Sequence, residues 1–187
     1  ANNSAFGYYA LQSNTTAASS TAVGGFALSA STGGYNTALG GESLFLNTTG
    51  ASSTALGYRA GFTNTTGSFN TYLGFNAGSS SPNNLNYATA IGAGAQVGLS
   101  NSLILGGTGT YAVNVGIGTT TPNWLAQIAG TRPFFTLSDT GGAANQKHWT
   151  MSSQSGNLYF ATSSDALATS TIPAMLFERT GNIGIST

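Results

Sequence analysis

A four-residue motif of the form Thr-Ala-Leu-Gly recurs along the chain at nearly constant spacing. The motif is intact at positions 37–40 and 54–57, and related tetrads and two degenerate copies occupy the other repeats. The closing glycines are Gly7, Gly24, Gly40, Gly57, Gly74, Gly92, Gly106 and Gly118. Successive glycines are therefore 17, 16, 17, 17, 18, 14 and 12 residues apart. Self-similarity at a short, fixed period is typical of a repeat protein whose units stack on their neighbours.

Each repeat also has a second half. After the glycine comes a short, partly apolar stretch such as Tyr58-Arg59-Ala60-Gly61, and then a polar corner such as Asn64-Thr65-Thr66-Gly67. Glycine and asparagine tolerate the positive φ that tight corners require, so each repeat is interpreted as strand, glycine turn, strand and polar turn. The pattern predicts an all-β protein containing a parallel β-solenoid, or β-roll, of about seven coils of 12–18 residues, because one unit is too small to bury a face alone.

The chain carries very little charge. Only 4% of its residues are Asp, Glu, Lys or Arg, against about 25% in typical soluble domains, and the four acids balance the four bases. With no net charge, the chain has no electrostatic field that would attract nucleic acid or another charged partner, so nucleic-acid binding is not expected. No apolar run reaches the roughly 18 residues of a membrane span, and no membrane insertion is expected within these residues. The absence of cysteine excludes disulfides and thiolate metal sites.

Composition changes after Gly118. Most of the charged residues, both tryptophans and the single histidine lie beyond it, which predicts a repeat domain over 1–118 and a second domain over 119–187. Short apolar runs separated by Gly and Asn turns predict a small antiparallel β module there. Motifs of the form Asn-x-Gly-Ile at 114–117 and 182–185 bracket this module. Because both ends of the chain lie within or next to motifs, we expect the sequence to be a fragment of a longer protein.

The repeats resemble a known group of fibrous proteins. The Asn-Thr-Ala-Leu-Gly and Ala-Thr-Ala-Ile-Gly segments look like the head β-roll of trimeric autotransporter adhesins and the related repeats of phage tail fibres. The stretch 114–122 and the run from Phe134 to Tyr159 resemble segments of tail-fibre-like proteins. The resemblance implies a homotrimer of parallel chains, an extracellular, cell-surface or virion location, and attachment to a surface as the role. Adhesin heads usually repeat in about 14 residues. Most steps here are 16 to 18 residues, which is closer to the tail-fibre repeats.

The residues that recur in every repeat are interpreted as architectural, and no catalytic residue, cofactor or metal site is expected. Adhesive contacts with an unknown protein or glycan receptor would then involve exposed side chains. The candidates are Tyr8, Tyr9, Tyr58, Arg59 and Phe75. The alternatives are a subunit of a long homopolymeric extracellular filament and, more remotely, an ice-binding solenoid presenting the column Thr21, Thr37, Thr54, Thr71 and Thr89.

Three segments imitate catalytic or phosphate-binding motifs. Asp139-Thr140-Gly141 after an apolar run matches the local pattern of an aspartic protease, but its residues are also ordinary turn residues, and that interpretation is favoured. His148 is interpreted as a surface or packed histidine rather than part of a metal site or a Ser-His-Asp arrangement. The run Gly106-Gly107-Thr108-Gly109 lacks the lysine of a phosphate loop and is interpreted as a turn.

The triplets that begin at Asn14, Asn47 and Asn64 match the acceptor pattern for N-glycosylation. Asparagine and threonine also have intrinsic turn preferences, so these triplets are interpreted as corners of the coil.

Overall fold

The computed structural model of the chain describes residues 2–80, 84–166 and 173–185. The chain divides into two compact units, Ala1–Val113 and Asn114–Thr187. The first is a parallel β-solenoid and the second contains a small antiparallel sheet, so the expected fold class is confirmed. The division falls after Val113 rather than at Gly118.

The solenoid is built from strands of two or three residues. In chain order they are β1 (Ser4–Phe6), β2 (Thr21–Val23), β3 (Thr37–Leu39), β4 (Thr54–Leu56), β5 (Thr71–Leu73), β6 (Gly78–Ser79), β7 (Thr89–Ile91), β8 (Gln96–Val97) and β9 (Leu103–Leu105). Seven of them stack in the order β1-β2-β3-β4-β5-β7-β9, and the seven strands define six complete turns. Equivalent repeat positions pair directly, as Thr37 with Thr54 and Ala38 with Ala55. The repeat period is therefore the period of the coil.

The corner glycines satisfy two separate requirements. Gly40 has φ +136°, which side-chain-bearing residues rarely adopt. A Cβ placed on Gly40 would also lie 2.5 Å from the carbonyl oxygen of Gly57 in the next coil. Backbone conformation and close stacking therefore both require glycine at this corner.

The second half of each coil differs from the expected strand. In the first four coils the chain instead alternates in and out of the left-handed region, as at Phe26 with φ 61° and Leu28 with φ 51°. Ala27 N–H donates to the Gly24 carbonyl within the coil, whereas Leu28 N–H donates to the Ser43 carbonyl of the next coil. Phe26 N–H donates to the Tyr8 carbonyl of the preceding coil. Because successive N–H groups thus point to the preceding coil, within the coil and to the next coil, a continuous strand does not form. Only β6 and β8 form a short second sheet.

The core of the solenoid is narrow. In β2, β3, β4, β5 and β7 the middle residue points inward and is fully buried, and it is alanine in all of them except β5. Fully buried leucines such as Leu28 and Leu44 oppose these alanines. Tyr72 breaks the alanine column, and Gly61 stands where the preceding coils have leucine. A Cβ on Gly61 would lie 2.6 Å from Tyr72 Cδ2, so the missing side chain provides the space for the ring. Burial raises the pKa of the Tyr72 phenol to about 12.

Two ladders of buried polar side chains join the coils. Before the strands, Asn and Ser alternate: Ser53 N–H donates to Asn36 Oδ1 (2.9 Å), and Asn70 N–H donates to Ser53 Oγ (3.1 Å). At the polar corners, Asn64 Nδ2 donates to Asn47 Oδ1 (2.9 Å). Asn47 and Asn64 are fully buried, as the corner interpretation of their triplets requires. A glycan could not be attached to them in the folded coil.

The last coil is covered by the chain that follows it. A single 3₁₀ turn, Gly109–Tyr111, folds back, and Gly107 N–H donates to the Tyr111 carbonyl (2.9 Å). A Cβ on Gly94 would lie 2.6 Å from Tyr111 Cδ2, and the Val113 side chain occupies the equivalent space at Gly106. Glycines in this coil therefore make room for two capping side chains.

The second unit contains two sheets. In chain order its strands are β10 (Val115–Ile117), β11 (Ala126–Ile128), β12 (Phe134–Ser138), β13 (His148–Gln154), β14 (Asn157–Ser163), β15 (Met175–Phe177) and β16 (Ile183–Ile185). Strands β12 to β16 form an antiparallel sheet in chain order, and β10 pairs in parallel with β11. Gly118, expected to close the seventh coil, instead follows β10 in this unit, because β10 pairs with β11 and not with the solenoid.

Candidate functional site

The exposed side chains of the solenoid follow from its corner geometry. The second residue after the corner glycine has a positive φ of 51–61° in five successive coils. These residues are Tyr9, Phe26, Glu42, Arg59 and Asn76. This conformation costs a residue with a side chain roughly 1–2 kcal/mol, and asparagine less than the others. Four of these five residues carry large side chains in a conformation that disfavours them.

Two of the predicted contact residues form a cluster in the first coil. The rings of Tyr8 and Tyr9 lie 4.0 Å apart, and Phe26 of the next coil lies 5.3 and 5.6 Å from them. The pKa of the Tyr8 phenol is raised by its hydrogen bond with Tyr9 and, to a smaller extent, by desolvation. Both tyrosines are exposed, so the first coil presents an amphipathic aromatic surface.

The other three predicted contact residues form a second cluster. The rings of Tyr58 and Phe75 stack 6.0 Å apart. The Arg59 guanidinium lies 5.6 Å from the centroid of the Tyr58 ring and 4.8 Å from that of Phe62. Arg59 Nε donates to Glu42 Oε2 (2.7 Å), and this bond raises the pKa of the arginine. The one acid and the one base of the solenoid unit therefore neutralise each other within this cluster.

Residues that sequence reasoning missed connect the two clusters. Phe45 lies 6.0 Å from Phe26 and 5.3 Å from Phe62, and Tyr111 lies 6.4 Å from Phe75. We call the resulting surface the aromatic ridge; it consists of Tyr8, Tyr9, Phe26, Phe45, Tyr58, Phe62, Phe75 and Tyr111. The three missed phenylalanines, Phe26, Phe45 and Phe62, occupy the second or fifth position after a corner glycine, so aligning the repeats on that glycine could have found them. Tyr111 had no such signal because it lies in the cap.

The outer face of the main sheet presents a second candidate surface. The third residue of each strand points outward, and equivalent residues pair in register from coil to coil. We call this column the strand-face stripe; it consists of Phe6, Val23, Leu39, Leu56, Leu73, Ile91 and Leu105. Its leucines are about 40% exposed, for example 41% at Leu56. The predicted threonine column runs beside it with the same register. The sheet thus presents a continuous apolar line next to a line of hydroxyl groups.

The structure places His148 between a serine and an aspartate, which the sequence did not predict. His148 Nδ1 lies 2.8 Å from Ser138 Oγ on the neighbouring strand, and Nε2 lies 3.4 Å from Asp165 Oδ1. Lys147 Nζ also lies 3.4 Å from the other oxygen of Asp165. His148 is partly buried, and its interpretation as a surface or packed histidine did not anticipate these two neighbours. The aspartate is shared with a lysine, so the chain of contacts also acts as a clamp that ties β12, β13 and the segment after β14 together.

The other two segments that resemble catalytic or phosphate-binding motifs form turns. Asp139 Oδ1 accepts a hydrogen bond from Gly141 N–H (2.9 Å), and the Asp139 carbonyl accepts one from Gly142 N–H (3.2 Å). Asp-Thr-Gly therefore forms the turn between β12 and β13. The Gly106–Gly109 run leads into the capping 3₁₀ turn.

Within residues 2–80, 84–166 and 173–185, no group of three or more His, Cys, Asp or Glu side chains is arranged to hold a metal ion. The same part of the chain contains no helix that is both long and apolar enough to cross a membrane.

Comparison with known proteins leaves the solenoid without an assigned relative: no protein-family model matches the chain, and no curated protein is significantly similar to it.

Proposed function

We propose that this chain is a non-enzymatic segment of a homotrimeric fibre on a cell surface or virion, and that it mediates attachment to another surface. The observation that carries the proposal is the strand-face stripe, an in-register apolar line along a solenoid unit with one acid and one base. Contiguous exposed apolar surface in a soluble protein marks an interaction site. A second and a third copy of the same line are suitable partners, because each leucine meets a leucine and no charge is buried.

The proposal agrees with the two surfaces of the solenoid. With the strand-face stripes of three chains facing a common axis, the aromatic ridge stays available for contact with a protein or glycan receptor. Tyrosine and phenylalanine supply large contact area at a low cost in side-chain entropy, and aromatic residues are enriched at interaction hot spots. The extracellular location is part of the proposal and follows from the attachment role.

Sedimentation equilibrium at micromolar concentration tests the assembly. We expect a single species with three times the mass of the chain. Leu56→Lys should dissociate it, because three ammonium groups would be buried side by side without partners. The matched control is Leu46→Lys, an exposed leucine outside the strand-face stripe, which should leave the trimer intact. A monomeric native chain, or equal dissociation by both variants, would overturn the proposal.

A homopolymeric filament is favoured by one observation at the first coil. Asn47 and Asn64 donate through Nδ2 to the preceding coil, and the same atom of Asn14 is buried without a partner among the described residues. Stacking of another coil on this end would satisfy it. The opposite end of the solenoid is covered by Tyr111 and Val113, so that end offers no uncovered coil on which a second copy could stack. Electron micrographs that show indefinite fibres rather than discrete rods would favour the filament over the trimeric fibre.

The non-enzymatic assignment has its own test in the Ser138–His148–Asp165 chain. If these residues acted as a nucleophilic triad, the purified protein would hydrolyse p-nitrophenyl acetate, and Ser138→Ala would abolish the activity. We expect no hydrolysis above that of the Ser138→Ala variant. Ester hydrolysis that requires Ser138 would overturn the non-enzymatic assignment without affecting the fibre.

A further inference from the structure

The aromatic ridge is interrupted near the end of the solenoid, and the interruption forms a groove. The fifth residue after the corner glycine is phenylalanine at Phe45 and Phe62 but becomes Ser79 in the next coil. The loss of these rings leaves a groove of about 260 Å³. Its lining includes Arg59, Phe62, Asn76, Ser80, Gln96 and Tyr111.

Aromatic side chains stand on both sides of the groove. On one side Phe62 is held by the Arg59 guanidinium, 4.8 Å from the ring centroid. On the other side Tyr111 is held by the 3₁₀ turn and lies against Gly94, where any Cβ would collide with its ring. The tyrosine is therefore positioned by the backbone of the last coil as well as by its own turn. Two fixed aromatic side chains with a narrow space between them suit a ligand that has an apolar face.

Amide groups supply directional contacts between these walls. Gln96 Nε2 donates to the Asn76 carbonyl (2.8 Å), which fixes the glutamine across the groove. Within the described residues the side-chain amide of Asn76 makes no hydrogen bond and is exposed. An orienting bond on Gln96 and an unpaired amide on Asn76 can together donate to and accept from adjacent hydroxyl groups of a ligand.

The groove has no net charge. Arg59 is paired with Glu42 at 2.7 Å, and these are the only charged side chains of the solenoid unit. A charged ligand would meet no uncompensated opposite charge. Pockets for drug-sized ligands have volumes of about 300–1,000 Å³, so the smaller volume here limits the occupant to about one ring.

We propose that this groove binds one neutral pyranose unit of a surface glycan. A pyranose combines an apolar C–H face with ring hydroxyls, which matches aromatic walls that carry amide donors and acceptors between them. The proposal rests on the attachment role given above, since it assigns that role a ligand class and a place on the solenoid. Affinity for a single sugar unit is expected in the millimolar range, roughly 4 kcal/mol of binding free energy, and repeated copies of the groove in a fibre would raise it by avidity.

Saturation-transfer NMR on the full chain tests the groove. The probes are the methyl glycosides of glucose, galactose, mannose and N-acetylglucosamine at about 10 mM, with methyl glucuronide as the charged comparison. We expect transfer to the ring C–H protons of at least one neutral glycoside and weaker transfer to the glucuronide. No transfer to any neutral glycoside, or stronger transfer to the glucuronide, would overturn the proposal.

Variants separate the groove from general surface adhesion. Asn76→Gly removes the amide while keeping a residue that accepts the left-handed conformation, and Gln96→Ala removes the second amide. Each should weaken binding about tenfold, whereas Gln12→Ala, an exposed glutamine in the first coil, should not change it. Equal binding by all three variants would overturn the site. A trimer that binds no sugar would refute only the groove, and a monomer that binds sugar would refute only the fibre, so the two failures are distinguishable.

Discussion

The solenoid unit and the sheet unit are both built from short strands, but they bury different groups. In the solenoid, fully buried alanines, leucines and polar ladders stack on their equivalents in the next coil. In the described part of the second unit, Ala161 is the only buried hydrophobic residue, accompanied by Thr150, Ser152 and Ser163. Its strands join unlike residues, such as Trp149 and Thr162. Each solenoid residue therefore depends on its copy one turn away, whereas the sheet unit tolerates changes made one position at a time.

Substitution of a corner glycine by alanine should give the largest difference between the two units in lost free energy of unfolding. Gly40→Ala forces a side chain into φ +136° and against the Gly57 carbonyl, and we expect a loss of roughly 3–5 kcal/mol in the free energy of unfolding of the solenoid. Gly181→Ala is the matched control in the sheet unit: its φ is +98°, but no atom lies within 4 Å of the added Cβ. It should cost only about 1–2 kcal/mol.

The two units can be followed separately for this test. Both tryptophans, Trp124 and Trp149, lie in the second unit, so tryptophan fluorescence reports on that unit. Hydrogen exchange of peptides from residues 20–80 reports on the solenoid. Equal costs for the two substitutions would show that stacking adds nothing to the requirement for glycine.

The pair Tyr72 and Gly61 sharpens the comparison within the solenoid. Tyr72→Ala alone should cost roughly 3–5 kcal/mol because it leaves a cavity, and Gly61→Leu alone should destabilise because its side chain would collide with the ring. The double variant restores the alanine and leucine of the neighbouring coils and should lie within about 1.5 kcal/mol of the native protein. Denaturant unfolding of the four proteins in a double-mutant cycle measures the coupling. Additive effects would contradict the assigned contact between adjacent coils.

Removal of an asparagine from the buried polar ladder should give the smallest of the three differences in free energy of unfolding. Asn36→Ala leaves the buried Ser53 N–H without its acceptor and removes one of the two amide donors to the Gly50 carbonyl, the other being Asn47 Nδ2, and we expect a loss of about 2–3 kcal/mol. Asn36→Ser should cost less, because serine already provides the acceptor at Ser20 and Ser53. In the sheet unit, the exposed Asn182 bonds to Glu178, and Asn182→Ala should cost below about 1 kcal/mol. Thermal unfolding that ranks Asn182→Ala as the more harmful change would contradict the role of the ladder.

Sequence reasoning reached the fold because the repeat is periodic at the level of the backbone. The Thr-Ala-Leu strands and their in-register stacking follow from the tetrads, and the apolar runs of the second unit correctly predicted β12 to β15. The backbone conformation of the second half of each coil could not be predicted from the sequence. Residues such as Phe26 and Leu28 do not signal a positive φ. Their N–H groups donate to carbonyls of the two neighbouring coils, Phe26 to Tyr8 in the preceding coil and Leu28 to Ser43 in the next one.

The candidate site was recovered only in part for a related reason. Tyr8, Tyr9, Tyr58, Arg59 and Phe75 were singled out as exposed aromatic or charged residues, and the structure places all five side chains on the solenoid surface. Tyr111 could not be predicted, since it reaches the aromatic ridge only by folding back over Gly94. Asp165 joined His148 in the same way, through a contact made across strands rather than along the chain.

The sequence by itself determined the coil length, the corner glycines, the alternation of inward alanine and outward threonine and leucine, and the near absence of charge. These properties are local or repeat at a fixed interval, so one linear pattern contains them. The tertiary structure decided where the left-handed residues lie, which aromatic rings meet and where the aromatic ridge opens into a groove. Those features depend on contacts between residues one coil apart and on a cap that folds back over the last coil. The left-handed positions recur with the repeat, but the residue types that occupy them do not indicate that conformation.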